Sequence, residues 1–121
     1  MAENSLPHDH FDRHNLTELS SQLDKLQDFQ TVSDVFKQLS DPTRARIFWL
    51  LCHREECVIN IAALMKMYAP AVSHHLRQLK TGGLIVSRRE GKEVYYKASD
   101  TQSARLLHDA IEQIMTITCP K

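Results

Sequence analysis

The sequence predicts a mainly α-helical domain with a small β-hairpin near its end. Two observations carry this prediction. Apolar residues recur at helical three- and four-residue steps from residue 15 to about 81, and the spacing then changes to a strand-like alternation over 84–97. The length of 121 residues fits one domain. No apolar run approaches the roughly 18 residues that span a bilayer, and no export signal is visible, so we expect a cytoplasmic protein with no membrane partner.

The N-terminal segment divides into an arm and a first helix. Residues 1–14 lack periodicity and hold three of the seven histidines, so a flexible histidine-bearing arm is expected there, with the folded domain over 15–121. Leucines then recur on one helical face from Asn15 onward, a narrow stripe that suits packing against a helix of a second chain. These leucines are Leu16, Leu19, Leu23 and Leu26.

The middle of the chain predicts four further helices. A second helix over 32–39 is followed by Asp41 as N-cap and Pro42 at the first position of a third helix, which ends near residue 53. Two short helices over 59–67 and 71–81 are separated by a three-residue break and predict a helix-turn-helix. The pair Gly82-Gly83 supplies the left-handed geometry that ends the second of them.

The last third predicts a hairpin and a final helix. Strands over 84–87 and 93–97 flank a glycine-containing loop over 88–92. Asp100 is the expected N-cap of a last helix whose apolar stripe is wide enough to favour self-association.

Charge is balanced overall but unevenly distributed. Residues 1–40 carry three basic and seven acidic side chains, whereas residues 41–99 carry ten basic and five acidic ones. A basic middle between acidic ends indicates a polyanionic partner for the middle segment.

A helix-turn-helix followed by a basic hairpin is typical of a winged helix-turn-helix, whose second helix fits the major groove of double-stranded DNA. The alternative is the same fold used only to contact proteins, but the basic residues concentrate on the two elements that would touch DNA. The side chains expected to contact DNA are Ser73, His74, Arg77, Gln78, Lys80, Arg88, Arg89 and Lys92.

Three segments resemble the ArsR/SmtB family of bacterial metal- and thiol-responsive repressors. Residues 36–47 (FKQLSDPTRARI) are similar to the opening of that family's domain, residues 72–80 (VSHHLRQLK) to its recognition helix, and residues 88–96 (RREGKEVYY) to its wing. The resemblance implies a homodimer built from the first and last helices. It also implies a repressor that leaves its operator when an inducer binds.

One metal site of this family lies after the third helix, where thiolate sensors carry Glu-Leu-Cys-Val-Cys-Asp. The matching run over 55–60 keeps Cys57 but has Ile59 at the second cysteine. We therefore expect imidazoles of the arm to complete the site, a set that suits zinc, cobalt, nickel or cadmium as a divalent inducer. The alternative is an arm without ligands and ordinary buried cysteines. The candidate ligands are Cys57, His8, His10 and His14, with Cys52 and His53 in reserve.

The family's second site crosses the dimer on the last helix, with the pattern Asp-x-His, ten residues, His-x-x-Glu or His. Asp100 matches, but the other three positions are Gln102, Gln113 and Thr116, so this site is expected to be lost. His108 and Glu112 share a helical face at i and i+4, and we interpret them as an exposed side-chain pair.

Two other functions compete with metal-dependent release of an operator. A thiol-oxidation or persulfide-sensing repressor would use Cys52 and Cys119. The odd number of three cysteines favours a reducing compartment over a disulfide scaffold. An enzyme is not expected, because no nucleophilic constellation is apparent. Three glycines are also too few for glycine-rich phosphate loops.

Overall fold

The computed structural model describes residues 6–8 and 15–116 and divides the chain into two compact units, residues 1–33 and 34–121. Over the described residues the elements follow one another in this order: α1 (Leu16–Leu23), α2 (Leu26–Lys37), α3 (Pro42–His53), β1 (Glu56–Cys57), α4 (Val58–Met65), α5 (Ala69–Thr81), β2 (Ile85–Glu90), β3 (Glu93–Ala98) and α6 (Gln102–Met115). The mainly α-helical fold class with a small sheet is confirmed.

The first unit corrects the predicted leucine helix. α1 ends at Leu23, because the backbone N–H groups of Asp24 and Lys25 turn back onto Ser21 and Gln22. Leu26 therefore begins the separate helix α2, six residues before the predicted start at 32. Neither α1 nor α2 contains a buried residue, and of the four leucines of the predicted stripe Leu16 is half-buried while Leu19, Leu23 and Leu26 are exposed.

In the second unit, α3 begins as predicted. The Asp41 carboxylate accepts the backbone N–H of Arg44 at 2.9 Å, and Pro42 occupies the first turn, where no N–H is needed. This hydrogen bond is the main reason that the pKa of Asp41 lies below its ordinary value. Ile47 and Phe48 are fully buried and place α3 at the centre of the core.

The helix-turn-helix is confirmed as α4 and α5. α5 starts at Ala69, two residues earlier than predicted, because Pro70 is tolerated in the first turn of a helix. Its inward residues Val72, Leu76 and Leu79 are buried as expected. Of the predicted glycine pair, only Gly83 has a positive φ. The backbone N–H of Leu84 then donates to the carbonyl of Leu79 at 3.0 Å, which ends the helix.

The sheet is larger than predicted, with three antiparallel strands in the order β1-β3-β2. Pairing of β2 with β3 continues to Glu90 and Glu93, so the loop shrinks to Gly91-Lys92, with Gly91 at φ 62°. Arg88 and Arg89 therefore lie in β2, and their predicted loop placement is wrong. The additional strand β1 pairs Glu56 and Cys57 with β3, and its two residues are too few to produce a periodic pattern.

α6 is capped by Thr101, whose hydroxyl accepts the Ala104 N–H at 3.2 Å, and the predicted cap at Asp100 is wrong. The Asp100 carboxylate instead pairs with Arg105. Leu107 is buried, whereas the exposed apolar residues of this helix are Leu106, Ile114 and Met115. Among the described residues, no helix is both long and apolar enough to cross a membrane.

Glu56 is a buried carboxylate with two donors. It is 5% exposed and accepts Arg54 Nε at 2.6 Å and Asn60 Nδ2 at 2.8 Å. The hydrogen bond from Asn60, and after it the one from Arg54, lowers the pKa of Glu56. The loop after α3 is thereby held against the first turn of α4.

The lowered pKa of Glu56 predicts that replacing this carboxylate reduces the free energy of unfolding in a pH-dependent way. Since the pKa of Glu56 is lower in the folded protein, its contribution is present above its unfolded pKa and is lost as pH falls through the folded value. Glu56→Gln should reduce the free energy of unfolding at pH 7 by about 1–2 kcal/mol, and this difference should shrink below pH of about 4. Urea unfolding of the parent and of Glu56→Gln across this pH range measures the difference in the free energy of unfolding. Glu93→Gln, at the exposed wing tip, is the control and should unfold like the parent. A deficit that stays constant down to pH of about 3 would contradict the assignment.

Candidate nucleic-acid interface and metal cluster

The outer face of α5 carries the predicted DNA-contacting side chains. Because Val72, Leu76 and Leu79 face the core, the intervening positions point away from it. Four of these side chains are exposed and Ser73 is half-buried; the exposed ones are His74, Arg77, Gln78 and Lys80. The predicted groove-facing residues therefore share one side of the recognition helix.

Arg44, which is outside the predicted DNA-contacting set, makes a hydrogen bond to this face. Arg44 on α3 donates to the Gln78 side-chain oxygen at 2.8 Å, and its Nε donates to the Gln38 carbonyl at 2.7 Å. The Gln78 amide nitrogen in turn lies 3.2 Å from His74 Nε2. Arg44 was visible only inside the segment 36–47 that resembles the family.

The wing divides its basic residues between two roles. Arg88 forms two hydrogen bonds with Glu55, at 2.8 and 2.9 Å, contacts Glu90, and lies 5.0 Å from the centre of the Tyr95 ring. These carboxylates, Glu55 first, raise the pKa of Arg88, and Arg88 lowers that of Glu55. Arg89 and Lys92 are exposed near the hairpin turn. The predicted phosphate contact of Arg88 therefore competes with two ion pairs.

A hydrogen bond connects the wing with the recognition helix. Lys80 Nζ donates to Ser87 Oγ at 2.7 Å, which ties the end of α5 to β2. Of the two neighbouring carboxylates, Glu56 lies in β1 and Glu55 anchors the wing through Arg88.

The predicted thiolate site is only partly described. Cys57 is 7% exposed in β1, just before α4, and Cys52 is half-buried on α3. His8 is exposed, whereas His10, His14 and Cys119 lie outside the described residues. The site built on Cys57 and the arm, and the thiol switch built on Cys52 and Cys119, therefore stay predictions.

A different cluster of ligand atoms joins α3 to α6. Glu112 Oε2 lies 3.1 Å from His53 Nε2 and 3.0 Å from His108 Nε2, and the two imidazole nitrogens are 3.1 Å apart. Among the described residues, this is the one group of three or more potential metal ligands that converges in this way. The interpretation of His108 and Glu112 as an exposed pair is wrong, because their side chains are 25% and 13% exposed.

The cluster fits a divalent metal ion in both spacing and chemistry. Tetrahedral zinc with bonds of about 2.0–2.1 Å requires ligand atoms about 3.3 Å apart, close to the observed separations. Trp49 Nε1 donates to Glu112 Oε2 at 3.0 Å and fixes the carboxylate. The signal in the sequence was two i,i+4 pairs, Trp49 with His53 and His108 with Glu112, but nothing in the sequence shows that they face each other.

Comparisons with known proteins identify the family of this chain and its fold. Residues 41–87 match the model of the bacterial regulatory proteins of the arsR family. A transcriptional repressor SmtB homolog of Synechocystis sp. is 36% identical over 89 residues, which cover 74% of this chain and 67% of the relative. The chain belongs to the ArsR family.

The chain is also similar to a further sequence relative and to a solved structure. A cadmium resistance transcriptional regulatory protein CadC homolog of Staphylococcus aureus is 41% identical over 80 residues, covering 65% of this chain and 66% of the relative. A homodimeric winged helix-turn-helix DNA-binding domain of Mycobacterium bovis has a TM-score of 0.66 and 35% identity, covering 76% of this chain and 83% of that one. The predicted winged helix-turn-helix fold is thereby confirmed. The family to which the chain belongs consists of DNA-binding transcription regulators, which are not enzymes.

The two roles of the wing arginines lead to a prediction about salt. Arg89→Ala should weaken binding to random duplex DNA and reduce the slope of log affinity against log salt by about 1, because one phosphate contact is lost. Arg88→Ala should change that slope less, since Glu55 and Glu90 already balance its charge. Fluorescence anisotropy at several salt concentrations measures both slopes. Equal losses of slope would contradict the structural role of Arg88.

Proposed function

We propose that this ArsR-family protein is a homodimeric repressor that binds double-stranded operator DNA and releases it when a divalent transition-metal ion binds. The observation that carries the DNA part is the exposed face of α5 beside a basic wing. Arg77 is exposed and can form bidentate hydrogen bonds with guanine. Gln78 can do the same with adenine when it exchanges its contacts with Arg44 and His74 for the base. Ser73, His74 and Lys80 flank them as phosphate or base partners.

Two observations support the proposed release of DNA by a metal ion. One relative named as an SmtB homolog repressor is 36% identical to this chain, and one named as a CadC homolog of cadmium resistance is 41% identical, over the aligned residues. The described residues also bring two imidazoles and a carboxylate within hydrogen-bond distance of one another. A bound ion changes DNA affinity only if it binds one conformation of the protein more tightly than the other.

Homodimer formation is supported by apolar side chains that the protomer leaves exposed. In the first unit these are Leu19, Leu23, Leu26, Phe29 and Val32. On α6, Ile114 is 82% exposed and Met115 58%. A two-fold dimer would present two recognition helices to a palindromic site, about 34 Å apart or one turn of DNA.

Substitution of the recognition helix tests the DNA assignment. An operator is first selected from a random duplex library with the parent protein. Arg77→Ala and Gln78→Ala should each weaken operator binding by about 1–3 kcal/mol and affect random duplex much less, because base contacts carry the specificity. Anisotropy titrations measure both affinities, with Asp109→Asn on α6 as the control. Unchanged operator affinity in both variants would exclude this face of α5.

Sedimentation tests the dimer. The parent should sediment as a dimer at micromolar concentration, and Ile114→Glu should shift it towards the monomer, because it places a charge in an apolar interface. Leu64→Glu, which changes a similarly apolar exposed residue on α4, serves as the matched control and should stay dimeric. A monomeric parent would contradict the proposed assembly.

A further inference from the structure

We propose that His53, His108 and Glu112 form a metal centre that joins α3 to α6 within one protomer and takes zinc, cobalt or nickel. The inference rests on the proposed function, since it names the site at which the inducing ion binds. It differs from the Cys57 site with its histidine arm. It also uses none of the positions 100, 102, 113 and 116 that match the family's last-helix pattern.

The arrangement of the two helices produces the cluster. His53 lies in the last turn of α3, one turn after Trp49, and His108 lies one turn before Glu112 on α6. Each pair shares one face of its helix. Because α3 and α6 pack together, the two faces meet, and the rings of His53 and His108 stand edge to face with centroids 4.7 Å apart.

Hydrogen bonds among these three side chains cannot satisfy all the close contacts between their polar atoms. Each imidazole Nε2 has either one proton or one lone pair, yet each faces both the other imidazole and the same carboxylate oxygen. That oxygen also accepts Trp49 Nε1. A cation would accept lone pairs from both nitrogens and from the carboxylate at once, and neutral imidazole is a common metal ligand.

The ligand chemistry selects the class of ion. Imidazole and carboxylate suit zinc, cobalt and nickel, whereas sites selective for softer ions depend on thiolates. Both cysteines of the described residues lie outside the cluster. A surface cleft of about 350 Å³ is lined in part by His53 and His108, and it leaves room for a water molecule as a further ligand.

The position of α3 connects the cluster with DNA binding. Its C-terminal half carries Trp49 and His53, while Arg44 in its first turn holds Gln78 of the recognition helix. Leu51 of α3 lies in the same core cluster as Leu76 of α5. An ion that draws α6 and α3 together therefore acts on the helix that supports the recognition helix.

Direct metal binding by the full-length protein, without DNA, tests the site. Metal-free protein titrated with Co²⁺ should show the visible absorption of a site with nitrogen and oxygen ligands and no thiolate-to-cobalt charge-transfer band. Zinc should displace the cobalt. Trp49 is the single tryptophan of the chain, so its fluorescence should change with the same midpoint.

Single substitutions locate the ligands. His53→Gln, His108→Gln and Glu112→Gln should each lower zinc affinity by about 100-fold or more, since loss of an outer-shell partner alone costs about 10–100-fold. Trp49→Phe should cost about tenfold, because the carboxylate loses the donor that orients it. Asp109→Asn, a carboxylate on the same helix but outside the cluster, and Cys57→Ser should keep the parent affinity. Thermal unfolding of the metal-free variants checks that they fold.

The outcomes separate this site from the proposed function. A thiolate band with cobalt, or loss of zinc binding in Cys57→Ser with retention in the three ligand variants, would overturn the site. It would leave metal-dependent release of DNA intact. Zinc binding that depends on the three residues but leaves operator affinity unchanged would support the site and overturn the proposed release.

Discussion

Packing of α3 is the constraint on which the rest of the second unit depends. Ile47, Phe48 and Leu51 are buried on one side of this helix, in the same core cluster as residues of α4, α5, β2 and α6. Its two ends then make polar contacts with different partners, Arg44 with α5 and Trp49 with α6. Because α3 supplies Arg44 to the recognition helix and both Trp49 and His53 to the contacts with α6, the geometry of both surfaces depends on its position.

The two proposed sites lie on opposite ends of one helix, α3, or in contact with them. The predicted DNA-contacting side chains lie on α5 and the wing, whereas the histidine cluster lies on α3 and α6. A hydrogen bond from α3 reaches each group, from Arg44 to Gln78 and from Trp49 to Glu112. Because interiors are close-packed, a shift of α3 against α6 is not absorbed locally. In the proposed function, such a shift would serve as the two-state element that coupling between metal binding and DNA binding requires.

The sequence predicted most of the fold because strong local signals agree with the tertiary structure. The Asp41-Pro42 cap, the apolar face of α5 and the β-branched and aromatic residues that follow Glu93 each depend on neighbouring residues alone. The histidine cluster could not be predicted, because His53 and His108 are 55 residues apart and meet only through helix packing. The strand β1 was missed for the same reason, since two residues form a strand only beside β3.

Two contacts connect the wing with the helix-turn-helix and make the predicted DNA-contacting surface rigid. Cys57 belongs both to β1, which pairs with β3 of the wing, and to the cap position of α4, and Lys80 adds a second bond between α5 and β2. The wing and the helix-turn-helix are thus braced against each other at two points before any DNA arrives. In the proposed complex, little backbone entropy would therefore be lost there on binding, and the entropic cost would fall on exposed side chains such as Arg77 and Arg89.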